Sequence, residues 1–394
     1  MTSSNSNGFS GKITRRTALT AIAGTLATPA LVRISRAAAS GDPILVGLSA
    51  ALTGQFAQNG AWMKNGTSLA AKEINAKGGV NGRPIKLVVE DDQGPNPTAA
   101  VNAVTKLITR DEVTAIIGPH FTPAILPSEP LLMQYKVPAL TGASGPVVTE
   151  QHNPFVFRVR LDDATGAALL VKYVLDTLKW KRIGLCYVNT AFGQSGIGAV
   201  KKALDARKVN PVISQTHLDS TKDFTAQILA FKNAKVDGII AWTDDQPSGL
   251  IAKQMQTLGV DFKLAGSTTF SQPPFLELAG PAANGIYSVT DFTKDNPKPA
   301  IQDWKKRYKA AYGQEPELYA STYYDAMNLL AAAMQDLKSI DGAAVQAALT
   351  KISGHEGVMT SYSYSSNGDM VHSGLITQVK KEVPVIVETV GEKA

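Results

Sequence analysis

Short apolar runs alternate with amphipathic stretches along most of the chain, and this alternation restricts the folds open to it. Residues 44–50 have the length of a buried parallel strand, and residues 61–76 then place apolar side chains at helical spacing before Gly78-Gly79 ends the helix. The same rhythm predicts further strands at 84–90, 113–117, 137–140, 182–188, 211–217, 237–242 and 262–265, and helices at 98–109, from 122 onward, and at 164–179, 194–207, 223–234 and 248–258. Strands that alternate with helices form βαβ units, so we predict an α/β fold with parallel sheets covered on both faces.

Two extended runs, at 155–160 and 285–291, interrupt the alternation, and we interpret both as crossovers between two halves of the molecule. The C-terminal part adds predicted helices at 300–312, 318–336 and 342–350 and β-like runs at 358–364, 371–379 and 383–390. The sequence therefore predicts two doubly wound, parallel-sheet lobes with a cleft between them. The predicted N-terminal lobe comprises residues 42–158 and 290–370, and the predicted C-terminal lobe comprises residues 159–289 and 371–390.

The first 39 residues have the features of an export signal. They contain five basic and no acidic residues, and the pair Arg15-Arg16 precedes a modest apolar stretch at 18–32 and small residues at 37–39. We interpret the segment as a twin-arginine-like signal peptide, which predicts a periplasmic location for the mature protein. The apolar stretch is too short and too interrupted to span a membrane. A disordered basic tail is the alternative interpretation.

The formal charge of +6 comes mostly from that segment, since the remaining chain has 34 basic and 33 acidic residues. A nearly neutral surface argues against nucleic acid as a partner, because phosphate binding requires a basic face. Hydrophobic residues make up 44% of the chain and charged residues 18%, which is an ordinary globular composition. Cys186 is the only cysteine, so no intramolecular disulfide forms and no such staple is needed. We expect a monomer.

Motifs of catalysis are absent from the sequence. It contains no G-x-S-x-G, no phosphate loop of the type G-x-x-x-x-G-K-[ST], and no G-x-G-x-x-G after a strand. The sequence separations between the five histidines do not match those of metal ligands. The histidines are His120, His152, His217, His355 and His372. We therefore predict a binding protein that uses no cofactor and no metal. An exported enzyme is the rival interpretation.

The loops that follow the predicted strands carry the binding signal. In open α/β sheets, ligands bind outside the carboxyl ends of the strands. The loops after residues 117, 140, 188, 242 and 265 combine hydroxyls, aromatic rings and acids. The candidate ligand-binding residues in them are His120, Phe121, Thr122, Ala143, Ser144, Phe192, Asp244 and Thr268.

These residue types suit an α-amino acid. Thr122 and Ser144 can each donate a hydrogen bond to a carboxylate near helix N-termini, where partial positive charge favours an anion. Asp244 can pair with an ammonium, and Phe192 offers an apolar wall. Each residue also has a purely structural alternative. Thr122 or Asp244 would then cap a helix, and Ser144 would start a turn.

Several stretches carry a resemblance to a known family. They are L-T-G-Q at 52–55, A-K-E-I-N-A-K-G-G-V-N-G at 71–82, V-E-D-D at 89–92, I-I-G-P at 116–119, K-D-F-T at 222–225 and Y-Y-D-A at 323–326. With these stretches the chain resembles, from about residue 42 to residue 390, the periplasmic branched-chain amino-acid-binding proteins. These are type I substrate-binding proteins of ABC importers. The resemblance implies two lobes joined by three crossovers, closure on a ligand, and docking of the closed form on a membrane ABC permease.

The resemblance also implies roles for single residues. Thr122 matches the hydroxyl that binds the ligand carboxylate in the family. Ala143 and Ser144 match the backbone and hydroxyl partners in the next loop, and Phe192 matches an aromatic residue that lines the cleft.

Two departures from the family pattern leave the ligand open. Asp244 stands where leucine/isoleucine/valine-binding members have a tyrosine, and Thr268 stands where they have the glutamate that pairs with the ligand ammonium. If the acid has moved to Asp244, the expected ligand is a neutral or branched-chain amino acid. If it has not, the ligand is an aromatic or aliphatic carboxylate. Gly94 and Phe121 replace the disulfide cysteines of those members. A ligand sensor for a membrane receptor would share all these features.

Overall fold

The computed structural model describes residues 41–371 and 373–390. The first helices and strands of the chain build a five-stranded sheet. In chain order they are β1 (Ile44–Ala50), α1 (Ala57–Ala76), β2 (Ile85–Asp91), α2 (Pro97–Thr109), β3 (Ala115–Ile117), α3 (Thr122–Tyr135), β4 (Ala139–Thr141), α4 (Val147–Glu150) and β5 (Val156–Arg158). The sheet is parallel throughout, in the order β2-β1-β3-β4-β5. All of β1 except Leu45 is buried, as expected for a strand covered on both faces.

The second set of elements begins a larger sheet. These elements are α5 (Asp163–Asp176), β6 (Ile183–Val188), α6 (Ala191–Ala206), β7 (Ile213–His217), α7 (Thr225–Asn233), β8 (Gly238–Trp242), α8 (Asp245–Thr257), β9 (Lys263–Gly266), α9 (Pro273–Ala279) and β10 (Tyr287–Thr290). Short 3₁₀ helices at Thr268–Ser271 and Gly280–Ala283 flank α9. The strands β6 to β10 run parallel to one another.

The C-terminal elements serve both sheets. They are α10 (Pro299–Tyr312), α11 (Leu318–Met334), α12 (Gly342–Leu349), β11 (His355–Glu356), β12 (Ser361–Tyr362), β13 (Gly374–Lys380) and β14 (Val383–Val390). Helix α11 packs against α1, on the five-stranded sheet. Strands β13 and β14 pair antiparallel beyond β10, which completes a seven-stranded sheet in the order β14-β13-β10-β9-β8-β6-β7. We call the unit around the five-stranded sheet the first lobe and the unit around the seven-stranded sheet the second lobe.

The structure differs from the sequence expectations in detail. The runs at 155–160 and 285–291 contain β5 and β10, so the chain completes a sheet strand before it crosses over. The β-like run at 358–364 forms only β12, which pairs with β11 in a separate two-stranded sheet. The exact lobe boundaries given above stay a prediction.

A buried ion pair ties two of the segments near the crossovers together. Arg158, at the end of β5, is 1% exposed, and its Nε lies 2.6 Å from Asp369 Oδ1. The same guanidinium donates hydrogen bonds to the carbonyl oxygens of Ser144, at 3.1 Å, and Gly145, at 2.8 Å. Arg158 therefore fixes the loop after β4 as well as the segment that returns at Asp369.

Close packing of α1 depends on two glycines. A Cβ added to Gly66 would lie 2.0 Å from the carbonyl oxygen of Ala320 in α11, and a Cβ added to Gly60 would lie 1.8 Å from that of Ala51. Helix α10 is also joined to α1, because Tyr312 Oη donates a hydrogen bond to Asn65 O at 2.8 Å. Side chains larger than hydrogen would push the α1 backbone away from its neighbours.

We expect Gly66→Ala to lower the free energy of unfolding by about 1–3 kcal/mol, because the added methyl group meets backbone rather than a movable side chain. The matched control is Gly198→Ala in α6, where an added Cβ meets nothing within 4 Å. That change should raise the free energy of unfolding by about 0.4–1 kcal/mol. Urea denaturation followed by circular dichroism measures both, and equal shifts in the two variants would contradict the packing argument.

The predicted signal segment at 1–39 lies outside the described residues. Within residues 41–371 and 373–390, no helix combines the length and the apolar character that a membrane span requires.

Candidate ligand-binding site

A cavity of about 610 Å³, including its mouth, lies where the strand-end loops of both lobes meet. It is lined by Pro95, His120, Phe121, Thr122, Pro123, Ser144, Arg160, Asp163, Thr190, Phe192, Asp219, Asp244, Ser267, Thr268, Thr269 and Tyr319. Seven of the eight sequence-predicted residues are among them. The eighth, Ala143, is buried in the apolar core of the first lobe and does not line the cavity.

Hydroxyl groups form one part of the lining. Thr122 is the first residue of α3, and the helix cap predicted for it as an alternative is wrong, because Phe121 occupies the cap position. Thr122 Oγ1 instead accepts a hydrogen bond from Gly145 N at 3.2 Å. A hydroxyl that accepts a bond retains its own proton for donation. Thr122 can therefore donate to an anion at the start of α3, where the helix dipole also favours negative charge.

Ser144 is held beside Thr122 by its backbone. Its carbonyl oxygen accepts hydrogen bonds from Asp163 N at 2.8 Å and from the Arg158 guanidinium at 3.1 Å. The side chain is almost fully buried and lines the cavity. Thr122 and Ser144 thus present two hydroxyls to the same space.

Arg160 adds a positive charge that the sequence analysis did not assign to the site. It is 5% exposed, and its guanidinium lies 3.3 Å from Asp291 Oδ1. Asp291 Oδ2 also accepts a hydrogen bond from Leu161 N at 2.9 Å, which fixes the crossover after β5. Among the described residues Arg160 Nε has no hydrogen-bond partner. A buried N–H donor that lines a cavity and lacks a partner is suited to an anionic ligand group.

Asp244 faces the cavity from the second lobe. It stands at the cap position of α8, but its side chain makes no capping hydrogen bond, so the helix-cap alternative does not account for it. Burial raises the pKa of its carboxyl well above the ordinary value, and the neighbouring carboxylates Asp219 and Asp245 raise it further. A carboxyl in this setting gains a great deal from a cation, because a positive charge would offset both effects.

Asp245 and Asp219 link the two lobes. Asp245 Oδ2 accepts a hydrogen bond from Asn59 Nδ2 in α1 at 3.2 Å, and burial raises the pKa of Asp245 to about 6. Asp219 Oδ2 accepts one from Gln55 Nε2 at 2.9 Å. In both cases the donor is an uncharged amide of the first lobe, so neither acid has its charge neutralised by that bond.

Asp163 is the most deeply buried acid in the lining. It is the first residue of α5 and is 7% exposed, and its Oδ2 accepts no hydrogen bond within the described part of the chain. Burial raises the pKa of Asp163 to about 6, although Trp242 and Arg160 lower it. The acid therefore lies close to the point of ionisation near neutral pH.

Aromatic side chains cover the apolar part of the cavity. His120 Nδ1 lies 2.9 Å from Tyr323 Oη, and the His120 ring lies 4.4 Å from the ring of Tyr319. Burial holds the pKa of His120 well below its usual value, so the imidazole is neutral. Phe121 and the half-buried Phe192 add two further rings to the lining.

Thr268 contributes a hydroxyl to the lining. It begins the 3₁₀ helix after β9, and its Oγ1 is buried without a hydrogen-bond partner among the described residues. The next residue, Thr269, is engaged instead, since its Oγ1 donates to Thr243 O at 2.8 Å. Thr268 therefore offers the cavity an uncharged donor and acceptor.

The cavity brings together groups of opposite charge. Hydroxyls, an arginine and the carboxyls of Asp163, Asp219 and Asp244 line one space, which aromatic rings border. Among the residues that the structure describes, no cluster of His, Cys, Asp and Glu has the arrangement of a metal site.

Comparison with known proteins identifies the family to which this chain belongs. The model of the periplasmic binding protein family matches residues 43–383. The chain belongs to this family. The match confirms the family that the sequence stretches indicated, and the fold is that of a solute-binding protein rather than of an enzyme.

Relatives of this periplasmic binding protein bind more than one kind of small molecule. The Leu/Ile/Val-binding protein BraC3 of Rhizobium johnstonii is 29% identical over 337 residues, which cover 82% of this chain and 90% of BraC3. The crystal structure of leucine-binding protein LivK from Thermotoga maritima superposes with a TM-score of 0.82 at 23% identity, covering 88% of this chain and 98% of LivK. A solute-binding protein of Rhodopseudomonas palustris BisB5, in complex with 3,4-dihydroxybenzoic acid, gives 0.80 at 24% identity, covering 88% and 97%. These likenesses confirm the two-lobed α/β fold.

Sequence reasoning missed four residues of the lining that bear on its chemistry: Arg160, Asp163, Asp219 and Tyr319. The sequence does contain a hint of Arg160, because an arginine inside the apolar run at 155–161 is expected to be buried, and buried arginines need a charged or polar partner. Asp219 follows β7, and the loop after that strand was not considered. Tyr319 lies in α11, which is far from the other loops in sequence.

Proposed function

We propose that this protein captures a small α-amino acid in the cavity between its lobes and delivers it to a membrane ABC permease. The observation that carries the proposal is the carboxyl of Asp244, which faces the cavity without a cationic partner among the described residues. Arg160 offers a positive charge to the same cavity, and Thr122 and Ser144 offer hydroxyl donors. The ligand ammonium would pair with Asp244, and the ligand carboxylate would bind Arg160 and the two hydroxyls.

The balance of charge favours an amino acid over a simple carboxylate. Asp163, Asp219 and Asp244 all line the cavity, with Arg160 as their counterpart. A ligand that carries a carboxylate and no cation would add a further negative charge to this set. Like charges in a partly desolvated site repel strongly, so such a ligand would bind at the cost of protonating one of the acids.

Closure of the lobes supplies the affinity. A few charge-assisted hydrogen bonds in a closed cleft support a Kd of roughly micromolar, about 8 kcal/mol. The ligand shifts the population towards the closed form only as far as it binds that form better. The closed form, in this proposal, is the one that docks on the permease. We further propose that residues 1–39 direct export to the periplasm by the twin-arginine route.

Calorimetric titration tests the proposal. The purified protein is first freed of any co-purified ligand by unfolding and refolding, and is then titrated with leucine and with benzoate. We expect a Kd of roughly micromolar for the amino acid and no measurable heat with benzoate. The reverse outcome would refute the amino-acid function and establish the carboxylate alternative.

The carboxylate alternative has one observation in its favour. Thr268 is uncharged, at the position to which the sequence resemblance assigns an ammonium-binding glutamate, and Phe121, Phe192 and His120 border the same space. A solute-binding protein of similar fold is in complex with 3,4-dihydroxybenzoic acid. The titration above decides between the two ligand classes.

A further inference from the structure

The cavity contains more carboxyl groups than a neutral amino acid can pair. Its lining includes the carboxyls of Asp163, Asp219 and Asp244 but, within the described residues, a single cationic side chain, Arg160, since the imidazole of His120 is neutral. Arg160 is itself already paired with Asp291, outside the lining. An amino acid with an uncharged side chain brings one carboxylate and one ammonium, so it adds no net positive charge.

Asp219 is the acid that the proposed function leaves unused. Its Oδ2 accepts a hydrogen bond from the amide of Gln55, but its Oδ1 is buried and has no hydrogen-bond partner in the described part of the chain. The loops that carry Asp219 and Asp244 are tied together, because His217 Nε2 lies 2.9 Å from Thr243 Oγ1. Two carboxyls on linked loops thus line one side of the cavity.

The other side of the cavity independently indicates a charged ligand. Arg160 is 5% exposed and Asp163 is 7% exposed, and both line the cavity. Arg160 Nε and Asp163 Oδ2 each lack a hydrogen-bond partner among the described residues. Both atoms belong to side chains that line the cavity, so a polar ligand group could satisfy them.

We infer that the ligand is an amino acid with a cationic side chain, whose α-ammonium binds Asp244 and whose side-chain cation binds Asp219. This inference rests on the proposed function, because it uses the same cavity and the same pairing of Asp244. It goes further by naming the side-chain class. A neutral side chain next to Asp219 would leave a desolvated carboxyl oxygen without a partner, whereas an ammonium or guanidinium would donate to it.

Lysine and norleucine are the probes that isolate the side-chain charge, since norleucine has the same chain length without the terminal amine. Titrated into the ligand-free protein, lysine should bind at least about tenfold more tightly than norleucine, which is the order expected for a hydrogen bond between charged groups. Norleucine binding equal to or tighter than lysine overturns the inference and leaves the amino-acid function intact. If neither amino acid binds, the proposed function itself fails.

Asp219→Asn tests the assignment of the second cation. The variant keeps the shape and the acceptor for Gln55 but removes the charge, so its preference for lysine over norleucine should disappear while norleucine affinity stays within a few fold of wild type. Asp205→Asn is the matched control, an exposed carboxylate of α6 in the same lobe, and should keep the preference. A variant at 219 that folds, as its thermal unfolding shows, and still prefers lysine overturns the assignment. If Asp219→Asn fails to fold, Asp219→Ser serves in its place, and the wild-type comparison decides the ligand class in either case.

Discussion

Replacing Asp244 with asparagine should weaken the binding of every amino acid tested by at least about a hundredfold, because removing one member of a desolvated charge pair leaves the ligand ammonium unpaired. Asparagine keeps the size of the side chain, so the cavity stays filled. Calorimetric titration measures the effect. Asp261→Asn, an exposed carboxylate in the same lobe, is the matched control and should bind as the wild type does. Unchanged affinity in Asp244→Asn would refute the ammonium role of Asp244.

The pH dependence of binding provides a second readout of the same pair. Because burial raises the pKa of Asp244 in the free protein, part of the population is protonated before the ligand arrives. The ammonium binds the ionised form, so binding lowers that pKa and releases a proton. Affinity should therefore fall as the pH falls through the raised pKa of Asp244. The Asp244→Asn variant should lose this contribution, and an equally steep pH profile in the variant would assign the proton to another group.

Replacing Arg158 with methionine should lower the free energy of unfolding by about 3–5 kcal/mol, since it leaves Asp369 buried without its partner. The loss also removes the donor to the carbonyl oxygens of Ser144 and Gly145, so the loop after β4 loses its anchor. Urea denaturation measures the change. Ligand affinity should fall as well, because Ser144 lines the cavity.

The matched control for Arg158 is Arg207→Met, which breaks an exposed pair with Asp176. Exposed ion pairs contribute little to stability because water screens them, so the control should unfold at nearly the same urea concentration as the wild type. A double variant, Arg158→Met with Asp369→Asn, should recover part of the lost stability, since it removes the uncompensated charge. If Arg158→Met unfolds at the same urea concentration as Arg207→Met, the buried ion pair contributes no more to the free energy of unfolding than the exposed pair does.

Much of the fold follows from the sequence because apolar periodicity reports which faces of an element are buried. The run at 44–50 predicts β1 with the observed bounds, and Gly78-Gly79 follows closely on the end of α1. Apolar periodicity could not predict the two-residue strands β11 and β12, because their pairing depends on tertiary contacts. One such contact is the hydrogen bond from Tyr362 Oη to Asp325 in α11.

Part of the site was predictable because the carboxyl ends of parallel strands meet at one edge of a sheet, so the loops after them lie close together. That rule selected Thr122, Ser144 and Asp244, which the structure places around one cavity, while their roles in binding stay predictions. It did not select Arg160, because the run at 155–160 was interpreted as a crossover, whereas the structure ends β5 at Arg158 and places Arg160 just after that strand. Asp219 depends on the fold of an exposed loop, which is held by Gln55 across the cleft. Contacts between sequence-distant loops leave no local pattern.

The amides of Gln55 and Asn59 have a consequence for the empty protein. They join Asp219 and Asp245 to the first lobe without neutralising them, so a closed form without ligand would confine several acids in a small space. Mutual repulsion then favours an open resting form in which water surrounds each carboxylate. A ligand with positive charge would remove that repulsion, so we expect the closed shape to be populated mainly by loaded molecules.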